Sequence, residues 1–219
     1  MLSIRVVLLA IVALSALPCH AGPVWQAVIQ TTPLAGTQGW IDIQFNPGAV
    51  SWQDAVATVS AFSTDGSMLV SGTPQSPQTT TYVTGGPLPG DVVFQNTDAF
   101  NDYFQRMTFG TYIQFQIAFS GPLVDSPDNS FFSGTSFSMA LYQDDQVSPI
   151  GNTPLFQLDL EVDGVEYPSN HDPGYVTVLA PVVPASVPEP GTAAYCSLIA
   201  IAAGGARWMG RFSGYQLTK

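Results

Sequence analysis

Carboxylates are the abundant reactive groups of this 219-residue chain, which carries sixteen Asp and Glu against five Lys and Arg. Asp159, Glu161 and Asp163 recur at every second position. On an extended strand that spacing puts all three on one face, where a divalent cation would relieve their mutual repulsion. Asp125 and Asp128, in the loop Asp125-Ser126-Pro127-Asp128-Asn129, offer further hard oxygen ligands, as does Asp144-Asp145. Calcium is the cofactor that Asp125, Asp128, Asp159, Glu161 and Asp163 would take. The plainer reading of the same residues is a solvated acidic surface. An EF-hand loop is excluded, because Asn170 stands where the closing glutamate belongs and Leu160 and Val162 alternate as in a strand.

Two opposed carboxylates would also serve glycoside hydrolysis, at a separation of roughly 5–10 Å. Sixteen acids supply candidate pairs by number alone, and spacing singles out none. Trp25, Trp40 and Trp52 are candidates for carbohydrate binding, since indole faces stack on sugar rings. Their alternative place is the core, where large aromatics dominate burial.

Other chemistries lack their residues. A Ser-His-Asp triad needs a histidine, and past the first 21 residues only His171 remains, in the turn Ser169-Asn170-His171-Asp172-Pro173. No Gly-x-Ser-x-Gly elbow and no phosphate loop occur. The region 22–186 has no lysine for a Schiff base and no cysteine, so zinc and disulfide frameworks have no ligands there. No catalytic residue is assigned, and the chain reads as a non-catalytic protein.

The elements that must position these groups are strands. Thr111, Ile113, Phe115, Ile117 and Phe119 alternate with Tyr112, Gln114, Gln116, Ala118 and Ser120, a period of two with one wet face. Ile41, Ile43 and Phe45 repeat the pattern, as do Phe137, Met139 and Leu141, and Phe156, Leu158, Leu160 and Val162. Further strands are expected at Val24–Thr31, Val56–Phe62, Asp91–Phe94 and Tyr175–Val183. Turn formers such as Asn46-Pro47-Gly48, Asp65-Gly66 and Asp163-Gly164 separate them. A short helix is expected at Asp98–Met107, where Phe100, Tyr103, Phe104 and Met107 recur three and four apart. Many short strands with regular turns predict an all-β domain over 22–180, an antiparallel, jelly-roll-like β-sandwich.

The ends read differently. Arg5 precedes an apolar run from Val6 to Leu17, too short to span a bilayer and suited to a signal peptide over 1–21, with cleavage between Ala21 and Gly22. Lipidation at Cys19 fits less well after Leu17-Pro18. A proline-rich spacer at 181–190 leads into an anchor and basic tail at 191–219. Its apolar stretch, Thr192 to Ala206, would form a short transmembrane helix. Arg207 and Arg211 would mark the cytoplasmic side as a basic stop. Between the ends, fifteen acids face one arginine, Arg106, leaving the body near −14. That charge excludes nucleic acid as a partner, since phosphate neutralisation needs Lys and Arg.

Val187-Pro188-Glu189-Pro190, followed by a short apolar run and arginines, resembles the PEP-CTERM protein-sorting signal. The likeness covers about 25 residues of tail, and the body is similar to small PEP-CTERM proteins of unassigned function. The resemblance implies an exported protein of a Gram-negative bacterium, with a membrane-anchored precursor. It further implies an exosortase-like enzyme that cleaves near the motif, and a mature form at the cell surface or in extracellular polysaccharide. The basic cluster is thin, and Phe212 to Lys219 run past it. The expectation is an exported, non-catalytic surface or matrix protein, with a carbohydrate-binding module and a carboxylate-dependent glycoside hydrolase as alternatives. Its expected partners are the secretion machinery, the processing enzyme, the membrane and extracellular polysaccharide.

Overall fold

The computed structural model describes residues 23–70 and 76–182. The cleavage pair Ala21 and Gly22, the sorting motif Val187 to Pro190, the transmembrane stretch, and Arg207 and Arg211 lie outside the described residues. Among those described, no helix is long and apolar enough to cross a membrane.

Alternating apolar residues fold this chain into strands because only an extended backbone sends them all to one side. The strands are β1 (Val24–Gln30), β2 (Gln38–Pro47), β3 (Val56–Thr64), β4 (Ser67–Met68), β5 (Gln78–Thr79), β6 (Val83–Gly85) and β7 (Val92–Gln95). There follow β8 (Asp102–Thr108), β9 (Tyr112–Ser120), β10 (Thr135–Gln143), β11 (Pro149–Ile150), β12 (Phe156–Leu160), β13 (Glu166–Asn170) and β14 (Val176–Val182). The fold is all-β. One sheet, A, has the order β14-β1-β9-β3-β7-β6; the other, B, has β13-β12-β10-β2-β8-β4, with β11 on β10 and β5 on β8. The strand pairings within both sheets are antiparallel. The chain changes sheet between β1 and β2, β2 and β3, β3 and β4, β5 and β6, β7 and β8, β8 and β9, β9 and β10, and β13 and β14.

The inner faces meet through aromatic rings. Ile113, Phe115, Ile117 and Phe119 of sheet A are buried against Ile41, Ile43, Phe45, Phe137, Met139 and Phe156 of sheet B. Ring centroids lie 5.8 Å apart for Phe45 and Phe119, 6.2 Å for Phe94 and Phe137, and 6.3 Å for Phe115 and Phe156. These separations fall in the range of favourable aromatic pairs and give the two layers their sandwich-like packing.

Two expectations are corrected. Asp98–Met107 is not a helix: Asp102–Thr108 is strand β8, with Tyr103, Gln105 and Met107 fully buried on its inner face. A glutamine in an inward position breaks the apolar alternation and leaves the 3–4 spacing as the stronger signal. The Gln105 Oε1 accepts from Leu88 N at 2.9 Å and from the Tyr103 hydroxyl, while its Nε2 is buried without a partner among the described residues. Burial pushes the Tyr103 phenol up to about 12. Pro181 and Val182, the first two residues of the expected spacer, sit instead in β14 opposite Trp25 and Val24.

Candidate functional site

The outward residues of β2 are Trp40, Asp42, Gln44 and Asn46, the complement of its buried Ile41, Ile43 and Phe45. Register sets Trp40 between Arg106 of β8 and Tyr142 of β10, Asp42 between Phe104 and Ala140, and Gln44 between Asp102 and Ser138. The outer face of sheet B thus gathers two carboxylates, amides and three aromatic rings. Gly39 lets β2 run this close to β10, because a Cβ there would strike Tyr142 O and the Phe109 ring.

Two segments wall this face. Strand β5 pairs with β8 at Phe104 and Tyr103, and Asp102 N donates to Thr80 Oγ1 at 3.0 Å. On the other side the turn after β10 is held by Asp145, whose carboxylate accepts from Val147 N, Ser148 N and Ser148 Oγ. Arg106 ties that turn down, with Nε and Nη2 on the Asp144 carboxylate at 2.6 and 2.5 Å. Between the walls lies a hollow of about 420 Å³ lined by Asp42, Asp102, Phe104, Tyr142, Thr79 and Gln146, among others. That volume lies in the range of small-ligand sites. A smaller hollow of about 70 Å³, reaching Ser138 and Thr153, shares Asp42 and Tyr142.

Asp42 is 6% exposed although it lies on an outer face. Its one side-chain hydrogen bond among the described residues comes from Gln44 Nε2, to Oδ2, at 2.8 Å. Burial pushes its carboxyl up to about 7, against the usual 3.8, and the charge of Asp102 adds to the rise. Asp102 is also raised by burial, with the Asn46 side chain opposing the rise, and its Oδ1 is buried without a partner among the described residues. Tyr142 is raised by burial first and then by Asp42 and Asp102, which marks the three as neighbours. Phe104 lies flat on Trp40 with centroids 4.9 Å apart, and Tyr142 meets its edge at 5.7 Å. Carboxylates perturbed by burial at a concave, partly aromatic surface make this face a candidate ligand site.

Of the sequence-based site residues, Trp40 alone belongs to this cluster, and it lies buried beneath Phe104. Trp25 and Trp40 are 6% and 0% exposed, so neither offers a face to a sugar. Trp25 sits in the core, its Nε1 donating to Glu166, and Trp40 lies beneath Phe104. Trp52, half-buried, belongs to the loop between β2 and β3 and bridges to Ser133. The three form no common platform. The calcium set does not converge either. Strand β12 ends at Leu160, and Gly164 N bonds Glu161 O at 2.9 Å, so the chain turns before Glu161 and Asp163 can share a face with Asp159. Asp159 accepts from Ser136 Oγ and Gln157 Nε2; Asp163, Asp125 and Asp128 accept from nearby backbone N–H groups. Among the described residues, no three His, Cys, Asp or Glu are placed to hold a metal ion.

Sequence reasoning missed Asp42, Asp102, Phe104 and Tyr142. Once Ile41, Ile43 and Phe45 point inward, Trp40, Asp42 and Gln44 must point outward, so half of the site was readable. Asp102 and Phe104 were hidden by the helical reading of β8. The chain matches no protein-family model, no curated protein and no solved structure, and the reading of its site therefore rests on its own residues.

Proposed function

We propose that this chain is an exported, non-catalytic matrix protein whose body binds saccharide on the outer face of sheet B. The observation that carries the reading is Asp42, a buried carboxylate opening on the hollow beside Phe104 and Tyr142. A sugar presents an apolar C–H face and a rim of hydroxyl donors. Ring faces meet the first, and the acceptors of Asp42, Asp102 and the wall residues meet the second. Strands that change sheet at successive connections support a jelly-roll-like topology, with the binding surface on its broad outer face. Export and sorting rest on the apolar leader and on Val187 to Pro190 with the run that follows.

Affinity electrophoresis in polysaccharide purified from the producing cells tests the binding. Retardation that Phe104→Ala abolishes supports it; unretarded migration of the wild type contradicts it. Mass spectrometry of the protein from those cells tests the sorting. The expected species starts at Gly22 and ends near Pro190, and an intact chain in the cytosol contradicts it.

A hydrolase is favoured by one observation, the Asp42 carboxyl held near 7, where a general acid works. Against it, Asp42 and Asp102 rise side by side from one sheet rather than facing each other across a substrate. Release of reducing ends that Asp42→Asn abolishes would establish the hydrolase over the binding module.

A further inference from the structure

We propose that the saccharide recognised at this hollow carries a free ammonium group, as a de-N-acetylated amino sugar does. The inference rests on the saccharide-binding reading and specifies its ligand.

The charged groups lining the hollow are two carboxylates, Asp42 and Asp102. The one arginine of the body, Arg106, stands next on β8 but is already paired with Asp144 at 2.5 Å. The other charged neighbours of Asp42 are Asp102 and, when ionised, Tyr142. Nothing cationic in the protein therefore balances the pair. Asp42 is more than nine-tenths buried, and Gln44 occupies only its Oδ2. The buried Oδ1 of Asp102 has no partner among the described residues. The Asp42 Oδ1 thus brings unused acceptor capacity to the cavity, and the Asp102 carboxylate lines the cavity beside it.

A neutral hydroxyl would satisfy an acceptor but bring no positive charge to the two carboxylates. A metal would need more ligands, and no group of three is present among the described residues. An ammonium group brings three donors and a full positive charge, enough to reach both carboxylates. Phe104 and Tyr142 add ring faces that attract a cation. The body's charge near −14 draws cations toward it and repels uronate or sulfated polymers. Burial raises the Asp42 carboxyl, so an ammonium ligand must displace its proton, and binding is coupled to pH.

The test uses the full chain, titrated calorimetrically with a glucosamine tetrasaccharide and with its fully N-acetylated counterpart. The free-amine form should bind at least about tenfold more tightly at pH 6.5, and its affinity should fall about tenfold between pH 6 and 5, since each unit below about 7 leaves about tenfold less Asp42 carboxylate. The acetylated form should show no such pH dependence. Asp42→Asn and Asp102→Asn keep the shape and should each erase the preference, with thermal melting confirming that they fold. Equal affinity for the two sugars, or tighter binding of the acetylated one, overturns the ammonium proposal and leaves the saccharide reading standing. An amine preference that survives both substitutions also overturns it, since net charge alone would then account for it. If neither tetrasaccharide binds and the polysaccharide of the producing cells does not retard the protein, the saccharide reading falls as well.

Discussion

The outer faces of the two sheets differ in how they treat polar residues. On sheet A, Gln26, Gln114, Gln116, Thr58 and Ser60 form an uncharged row, each half in water. On sheet B the corresponding row holds Asp42, Asp102, Arg106 and Asp159, with Phe104 stacked on Trp40 and a carboxylate buried to 6% exposure. Amides at a solvated face cost the fold little and need no further explanation. A buried carboxylate does cost stability, because its charged form loses water without gaining a cationic partner. The contrast shows where this protein departs from what folding alone requires, and such departures cluster at sites of function.

Phe137→Ala should have the largest effect. Phe137 is fully buried and touches Phe94, Phe119 and Phe156, so the cavity should cost about 3–5 kcal/mol in urea unfolding and loosen both outer faces together. Loss of one face alone would show that the sheets do not share a core.

Asp42→Asn should come next and act in the opposite direction. The folded carboxyl sits at about 7, above its ordinary 3.8, so the folded state holds the proton more tightly. Its stabilising contribution is complete below pH 4 and is lost as pH rises through 7. Asparagine escapes that loss and should gain on the order of 4 kcal/mol above pH 8, with little gain at pH 4. Urea midpoints at the two pH values measure the difference. An equal effect at both would mean that Asp42 is not a strained carboxylate.

Phe104→Ala should cost about 1–2 kcal/mol of stability through the lost contact with Trp40, and should weaken saccharide binding by about tenfold. The matching change on the other sheet, Gln116→Ala, should stay within about 0.5 kcal/mol and leave binding untouched. Equal losses from both would remove the distinction between the faces.

The sequence made the inner half of this comparison legible. Tyr112 to Ser120, Ile41 to Phe45, Phe137 to Leu141 and Phe156 to Leu160 alternate cleanly, and each lies in a strand with its apolar set buried; Thr111 and Val162, expected in the first and last of these runs, fall just outside them. Alternation reports burial directly, because one face of an antiparallel sheet meets the core and the other meets water. The outer half was less legible for the same reason. Asp42 follows the polar phase of β2 and carries no mark that its side chain is enclosed. Around it stand Gln78 to Thr80, Gln146, Thr153 and Pro154, which approach from elsewhere in the chain. Gln105 hid β8 by placing an amide in the core. The tryptophans misled because size draws an indole inward as readily as binding draws it outward. The acidic repeat Asp159, Glu161, Asp163 misled because a turn intervenes after Leu160.

The claim that sheet B's outer face is the binding surface is tested most directly by nuclear magnetic resonance. The isotope-labelled protein would be titrated with oligosaccharides hydrolysed from the polysaccharide of the producing cells. The account predicts amide shifts grouped at Gly39–Gln44, Asp102–Arg106 and Ala140–Gln146. Shifts grouped instead at Gln26, Gln114 and Gln116, or none at saturating sugar, would contradict it.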